Sequence, residues 1–92
     1  MALKRVYFRV HGTVQGVGFR YFTRNRAVEH AITGWVRNTE NDKVEGEAQG
    51  EEDNVREFLR HVDKGPKHAH VCKLEQEERE VVDGEEGFEI RR

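Results

Sequence analysis

Between His11 and Arg20 the chain reads Gly12-Thr13-Val14-Gln15-Gly16-Val17-Gly18-Phe19, with three glycines in seven positions. Glycine lets a backbone turn tightly with its N–H groups directed inward, and such a turn running into a helix start gathers partial positive charge. Arg20 adds a permanent cation whose planar fork can hold two phosphate oxygens at once. These residue types in this order suit capture of a phosphate-like anion. The same glycines could serve only to shape a connection, and composition alone leaves both readings open. The spacing is not that of the dinucleotide fingerprint, and no Gly-Lys-Ser/Thr of a Walker loop occurs.

The elements that must position this loop are legible in the apolar periodicity. Val6, Phe8 and Val10 alternate with Tyr7, Arg9 and His11, which predicts a strand buried on one side. The stretch Phe19 to Ala31 has no glycine or proline and predicts a helix with Tyr21, Ala27, Val28 and Ala31 on its inner face, while Phe22 lies off that stripe and is expected to pack near the helix start. Trp35 to Asn38 and Lys43 to Gln49 predict a hairpin, its second strand polar on one face. Val55, Phe58, Leu59 and Val62 follow the i, i+3, i+4, i+7 pattern of a second helix, with Glu51, Glu52 and Asp53 near its first turn and Gly65-Pro66 as its stop. His70 to Glu77 and Gly87 to Arg91 read as strands, the last with Phe88 and Ile90 inward.

Two helices and a sheet with one wet face can bury their apolar stripes together only if both helices cover the same side. The predicted fold is α+β, a ferredoxin-like β-α-β-β-α-β sandwich with an antiparallel sheet and a short extra edge strand. At 92 residues it forms a single domain, residues 1–92.

Composition narrows the function. Charged residues make up 37% of the chain, yet the net charge is only -2, which disfavours the strong basic footprint of a nucleic-acid binder. The charge is unevenly distributed: up to Asn38 there are seven basic residues against one acid, and from Thr39 onward nine against seventeen. An anion would bind in the first part. No apolar run approaches the ~18 residues of a membrane span, and Met1 to Arg5 lacks the apolar region of a leader, so a cytoplasmic protein is expected. The single cysteine, Cys72, cannot form an internal disulfide and is expected to be a small buried strand residue. His68 and His70 would share one strand face and could begin a zinc site, but no third ligand is evident. Tyr7, Arg9 and His11 on the open sheet face lack the paired aromatic signature of RNA-recognition folds. Trp35 and Phe58 are expected in the core; Arg24, Arg26 and Arg37 are expected in solvent, where each could steer an anion toward the loop.

The run Val10-His11-Gly12-Thr13-Val14-Gln15-Gly16-Val17-Gly18-Phe19-Arg20, followed by Gly34-Trp35-Val36-Arg37-Asn38 and Val44-Glu45, closely resembles the acylphosphatase family. The resemblance extends to Gly65-Pro66 and Gly87-Phe88-Glu89-Ile90. It implies hydrolysis of small acyl phosphates to carboxylate and inorganic phosphate, with no cofactor, no metal, and no nucleic-acid or membrane partner, by a protein expected to be a monomer. It also implies roles: the backbone amides of Gln15, Gly16, Val17, Gly18, Phe19 and Arg20 cradle the phosphate, the Arg20 guanidinium clamps it, and the Asn38 side chain holds the attacking water. Asn38 ends a strand parallel to the first, so its side chain can lie beside the loop. The alternative is a non-catalytic anion-binding accessory domain of the same fold, as found within larger carbamoyl-phosphate-processing proteins. One departure is Thr39-Glu40-Asn41-Asp42-Lys43, where the family often has Pro-Asp-Gly; Asn41 and Asp42 still tolerate a left-handed turn.

Overall fold

The computed structural model describes residues 2–92. In chain order the elements are β1 (Leu3–Thr13), α1 (Phe19–Glu29), β2 (Thr33–Asn38), β3 (Val44–Glu51), α2 (Glu52–Lys64), β4 (His70–Arg79) and β5 (Phe88–Arg91). The strands form one sheet in the order β4-β1-β3-β2-β5, and both helices pack on one side of it. The sandwich is the one the periodicity predicts, with one correction: the sheet is mixed. β5 pairs parallel to β2, with Gly34 opposite Phe88 and Val36 opposite Ile90. The cause is the segment 80–87, which carries the chain from one sheet edge to the other.

The core lies between sheet and helices. Val6, Phe8 and Val10 of β1 face Val55, Phe58, Leu59 and Val62 of α2, all buried as their spacing predicts. Phe58 is fully buried, with its ring centre 5.8 Å from that of Phe8 and 5.9 Å from that of Phe88. Burial of a side chain of this size stabilises the fold by about 2–3 kcal/mol. Gly65 closes α2 at φ 75°, its N–H donating to the His61 carbonyl at 2.9 Å.

Helix α1 departs from the predicted stripe. Tyr21 and Val28 are 61% and 68% exposed, and the inward residues are Phe19, Thr23 and Ala27. This i, i+4, i+8 row contains a threonine, whose hydroxyl is satisfied within the helix by the Phe19 carbonyl at 2.8 Å, so its polarity does not keep it out of the core. Phe22 packs at the helix start as expected, edge-on to Phe19 with centroids 6.0 Å apart.

The open face of the sheet is also not simply wet. Arg5, Glu45 and Gln49 are buried to 3%, 7% and 7% exposure because segment 80–87 crosses over part of this face and ions cover the rest. Arg5 holds Glu47 at 2.6 Å and Glu85 at 2.7 Å. The Gln49 side chain donates to the Val82 carbonyl at 2.9 Å and accepts from the Val82 N–H at 2.8 Å. Burial alone would raise the Glu85 carboxyl, but hydrogen bonds from Arg5 and Thr33 outweigh it and hold the group below the usual carboxylate range.

Trp35, expected in the core, instead stands half-buried on this open face, with the Arg37 and Arg91 guanidinium carbons 5.6 and 4.8 Å from its ring centre. Arg37 is accordingly not a free solvated cation: it pairs with Glu45 at 2.6 Å. Arg26 likewise pairs with Glu29 at 2.8 Å. Cys72 is exposed rather than buried, because it is the extra residue of a bulge where His11 faces Lys73 and Gly12 faces Val71. His68 lies in a turn ahead of β4, so the shared strand face with His70 does not form.

Candidate functional site

The loop of residues 14–18 leaves the end of β1 and is pinned from beneath. Val14 and Phe19 are buried to 1% and 2% exposure and Val17 packs against the core, while Gly16 and Gly18 between them face outward. Both glycines adopt left-handed backbone, at φ 73° and 74°. That conformation is costly for a residue with a Cβ, and it is what turns the intervening backbone back on itself.

Gly18 is the N-cap of α1, and the start of this helix is left electrically unfinished. Among the described residues no side chain caps it, and its first turn carries no acid. Helix α2 differs, with Glu52 and Asp53 in its first turn. The N-terminal N–H groups and dipole of α1 therefore remain available to an external anion. Arg20 stands in this first turn, half-buried, its Nη1 donating to the Arg91 carbonyl at 3.4 Å. Among the described residues no carboxylate lies within ion-pairing distance of it.

Asn38 arrives from the sheet. Val44 of β3 is paired with Val10 on one side and Asn38 on the other, so the end of β1, the start of β3 and the end of β2 share one row. Gly34 and Val36 are buried toward the helices, and Asn38 continues this alternation on the helix side of the sheet. Asn38 thereby meets Gly16, Gly18, Phe19, Arg20 and Tyr21 around a cavity of about 150 Å³.

The hairpin beyond Asn38 is well tied despite lacking proline and glycine. The Thr39 hydroxyl accepts from the N–H groups of Asn41 at 3.3 Å and Lys43 at 3.0 Å, and Thr39 N–H donates to the Lys43 carbonyl at 2.8 Å. Asp42 takes the left-handed position, at φ 62°. The Gln15 side chain binds this turn, donating to the carbonyls of Thr39 at 3.1 Å and Lys43 at 3.0 Å.

Of the residues singled out in the sequence, Gly16, Gly18, Phe19, Arg20 and Asn38 line this one cavity; the side chains of Gln15 and Val17 turn away to the hairpin and the core. Sequence reasoning missed the Arg91 carbonyl and the Gln15 tie, for which a single sequence carries no signal. It also misassigned Tyr21 to the core. No group of three or more His, Cys, Asp and Glu side chains converges among the described residues, and no helix among them is long and apolar enough to cross a membrane.

Comparison with known proteins gives a consistent picture. Residues 6–90 match the acylphosphatase family. The chain is 52% identical over 77 residues to the acylphosphatase of Oceanobacillus iheyensis, covering 83% of this chain and 85% of that one. It is 46% identical over 91 residues to the acylphosphatase of Moorella thermoacetica, covering 99% and 97%. The crystal structure of the acylphosphatase from Bacillus subtilis superposes with a TM-score of 0.92 at 33% identity, over 99% of this chain and 100% of that one. A segment amounting to 12% of full-length HypF, crystallised in a phosphate- and nucleotide-bound form, superposes at 0.89 with 28% identity, over 99% of this chain.

Proposed function

Because the chain belongs to the acylphosphatase family, we propose that it hydrolyses the carboxyl–phosphate bond of small acyl phosphates by direct attack of water, within the cavity between Gly18, Arg20 and Asn38. The backbone N–H groups of residues 15–20 and the Arg20 guanidinium receive the phosphoryl oxygens. The Asn38 carboxamide oxygen holds the water by accepting a hydrogen bond from it; this fixes position without removing a proton. A new bond forms between water oxygen and phosphorus as the bond to the acyl oxygen breaks, and the electron pair leaves with the carboxylate. The proton of the attacking water passes to a phosphoryl oxygen, giving carboxylate and inorganic phosphate.

The departing carboxylate belongs to an acid with a pKa of about 4, so it leaves without a general acid. What remains is to place the reactants and neutralise charge on the equatorial oxygens, which a nest of N–H donors and a guanidinium accomplish through fixed dipoles. The observation that carries this reading is the uncapped, acid-free start of α1 facing a strand-end carboxamide across one small cavity. All the groups come from one chain, which supports action as a monomer. A lone unpaired cysteine and bacterial relatives support a cytoplasmic setting. The non-catalytic alternative leaves Asn38 without a role.

The test is incubation with benzoyl phosphate in the presence of a chelator, following loss of the anhydride. Hydrolysis inhibited competitively by inorganic phosphate is expected. Failure of the protein to accelerate hydrolysis, or dependence of its activity on added metal, overturns the proposal.

A further inference from the structure

The chain has eleven arginines. Eight of them, Arg5, Arg9, Arg26, Arg37, Arg56, Arg60, Arg79 and Arg91, lie within 4 Å of a carboxylate. Among the described residues the three that do not are Arg20, Arg24 and Arg92, and these three line one cavity of about 580 Å³ together with Tyr21 and Ile90. Among the described residues, no acidic residue and no lysine borders it. In a chain with eighteen acids this segregation has an electrostatic cost: Arg20 and Arg24 are one helical turn apart, and like charges at i, i+4 repel. An anion lying between them removes that cost.

The cavity adjoins the proposed phosphate cradle, sharing Arg20 and Tyr21 with it. Asn38 borders the cradle but not this second cavity. In-line displacement places the attacking water and the departing group on opposite sides of phosphorus. With water at Asn38, the acyl group leaves on the side away from Asn38, and the cavity of Arg24 and Arg92 adjoins the cradle without touching Asn38. Its walls match a short acyl stem ending in charge: the ring of Tyr21 and the side chain of Ile90 offer apolar surface, and Arg24 rises about 6 Å further along the helix axis than Arg20. The exposed position of Tyr21, unexplained by packing, then has a purpose. The Arg24 guanidinium carbon lies 6.0 Å from the Tyr21 ring centre, so the two side chains border the stem together.

Resting on the acylphosphatase reading above, we propose that Arg24 and Arg92 form a second anion subsite that selects acyl phosphates carrying a further negative group on the acyl chain, a few carbons from the reacting bond. These two residues determine specificity; Arg20 serves the phosphoryl group.

The experiment compares 4-carboxybenzoyl phosphate with its neutral isostere 4-carbamoylbenzoyl phosphate, in the wild type and in Arg24→Gln, Arg92→Gln and the double variant, at low and at moderate salt. Charge-assisted hydrogen bonds predict a kcat/KM ratio of carboxylate to amide substrate about tenfold higher in the wild type than in the double variant, the difference carried mainly by KM. Intrinsic differences between the leaving groups cancel in this double ratio. All substituted side chains are exposed, and circular dichroism checks that each variant folds. Equal ratios in wild type and double variant overturn the subsite. So does an equal loss for both substrates that vanishes with salt, which is the mark of long-range steering alone. If the wild type hydrolyses neither compound nor benzoyl phosphate, the acylphosphatase reading itself fails.

Discussion

The side-chain nitrogen of Gln15 donates to the backbone carbonyl of Thr39 at 3.1 Å, joining the glycine loop to the residue that follows Asn38. With the second bond to Lys43 at 3.0 Å, one carboxamide sets the spacing between the two walls of the cavity. Gln15→Ala leaves the half-buried Thr39 carbonyl without that donor, while the Lys43 carbonyl keeps the Thr39 N–H, and should lower stability by about 1–3 kcal/mol. It should also lower kcat on benzoyl phosphate about ten- to a hundredfold through misplacement of Asn38, with inhibition by phosphate much less affected. A parallel loss of phosphate affinity would contradict a positioning role and indicate collapse of the loop.

The roles proposed for Arg20 and Asn38 separate in a binding and turnover experiment. Arg20→Ala should abolish competitive inhibition by phosphate and reduce kcat/KM by about 10²–10³-fold, as expected for losing a preorganised donor. Asn38→Ala should reduce kcat by a comparable factor while leaving the phosphate inhibition constant within a few-fold. Steady-state kinetics with added phosphate decides this, and wild-type rates in both variants would show the assignment to be wrong.

At Gly18 a Cβ would meet no atom of the described residues within 4 Å, so a substitution acts only through the backbone, held at φ 74°. Gly18→Ala should cost about 1–2 kcal/mol of stability. By turning the first amides of α1 it should also weaken phosphate inhibition. Gly18→Asn, better suited to left-handed backbone, should recover much of both. Denaturant unfolding and phosphate titration of the two variants measure it; equal losses would point to side-chain bulk rather than backbone conformation.

Much of this was legible because it rests on local rules. The alternation in β1, the gapless row of α2 and the Gly65-Pro66 stop each state their own conformation, and the glycine loop announces a turn into a helix. What escaped depends on distant partners. Glu45 and Gln49 read as a wet strand face, yet they are buried by ion pairs and by segment 80–87, whose path nothing local specifies. Trp35 reads as core by its size, but period two places it opposite Val36, and cations from β2 and β5 stack on it. The parallel sense of β5 and the exposure of Cys72 follow from topology and a bulge, neither written in apolar spacing. For α1, counting apolar residues selected the face bearing Tyr21 and Val28, whereas the core accepted Thr23.

Buried Glu45 and half-buried Glu85 set a pH dependence. In Glu45, burial acts to raise the carboxyl, but hydrogen bonds from Tyr7, Arg37 and Arg9 and the nearby Arg37 charge lower it overall; Glu85 is held low by Arg5 and Thr33 against the same burial. A carboxyl depressed on folding contributes stability that is present above its unfolded pKa and is lost as pH falls through the lower folded value. The melting temperature should therefore be flat near neutrality and fall as pH drops below about 4. In Glu85→Gln it should be lower at pH 7, and the gap to wild type should narrow at pH 3. A constant gap across that range would remove Glu85 from the acid response.

β1 carries the glycine loop at its end and occupies the interior of the sheet, yet both its neighbours come late: Val10 pairs with Val44, and Arg5 with Arg79. Closing such long intervening segments costs chain entropy before any contact repays it, so folding on the millisecond-to-second scale is the natural expectation. A nascent or half-denatured chain thus holds the anchor of its reaction centre as an unpaired ribbon open to other chains. Arg5, Arg9 and His11 are spaced along that ribbon, and charges so placed disfavour pairing with other chains.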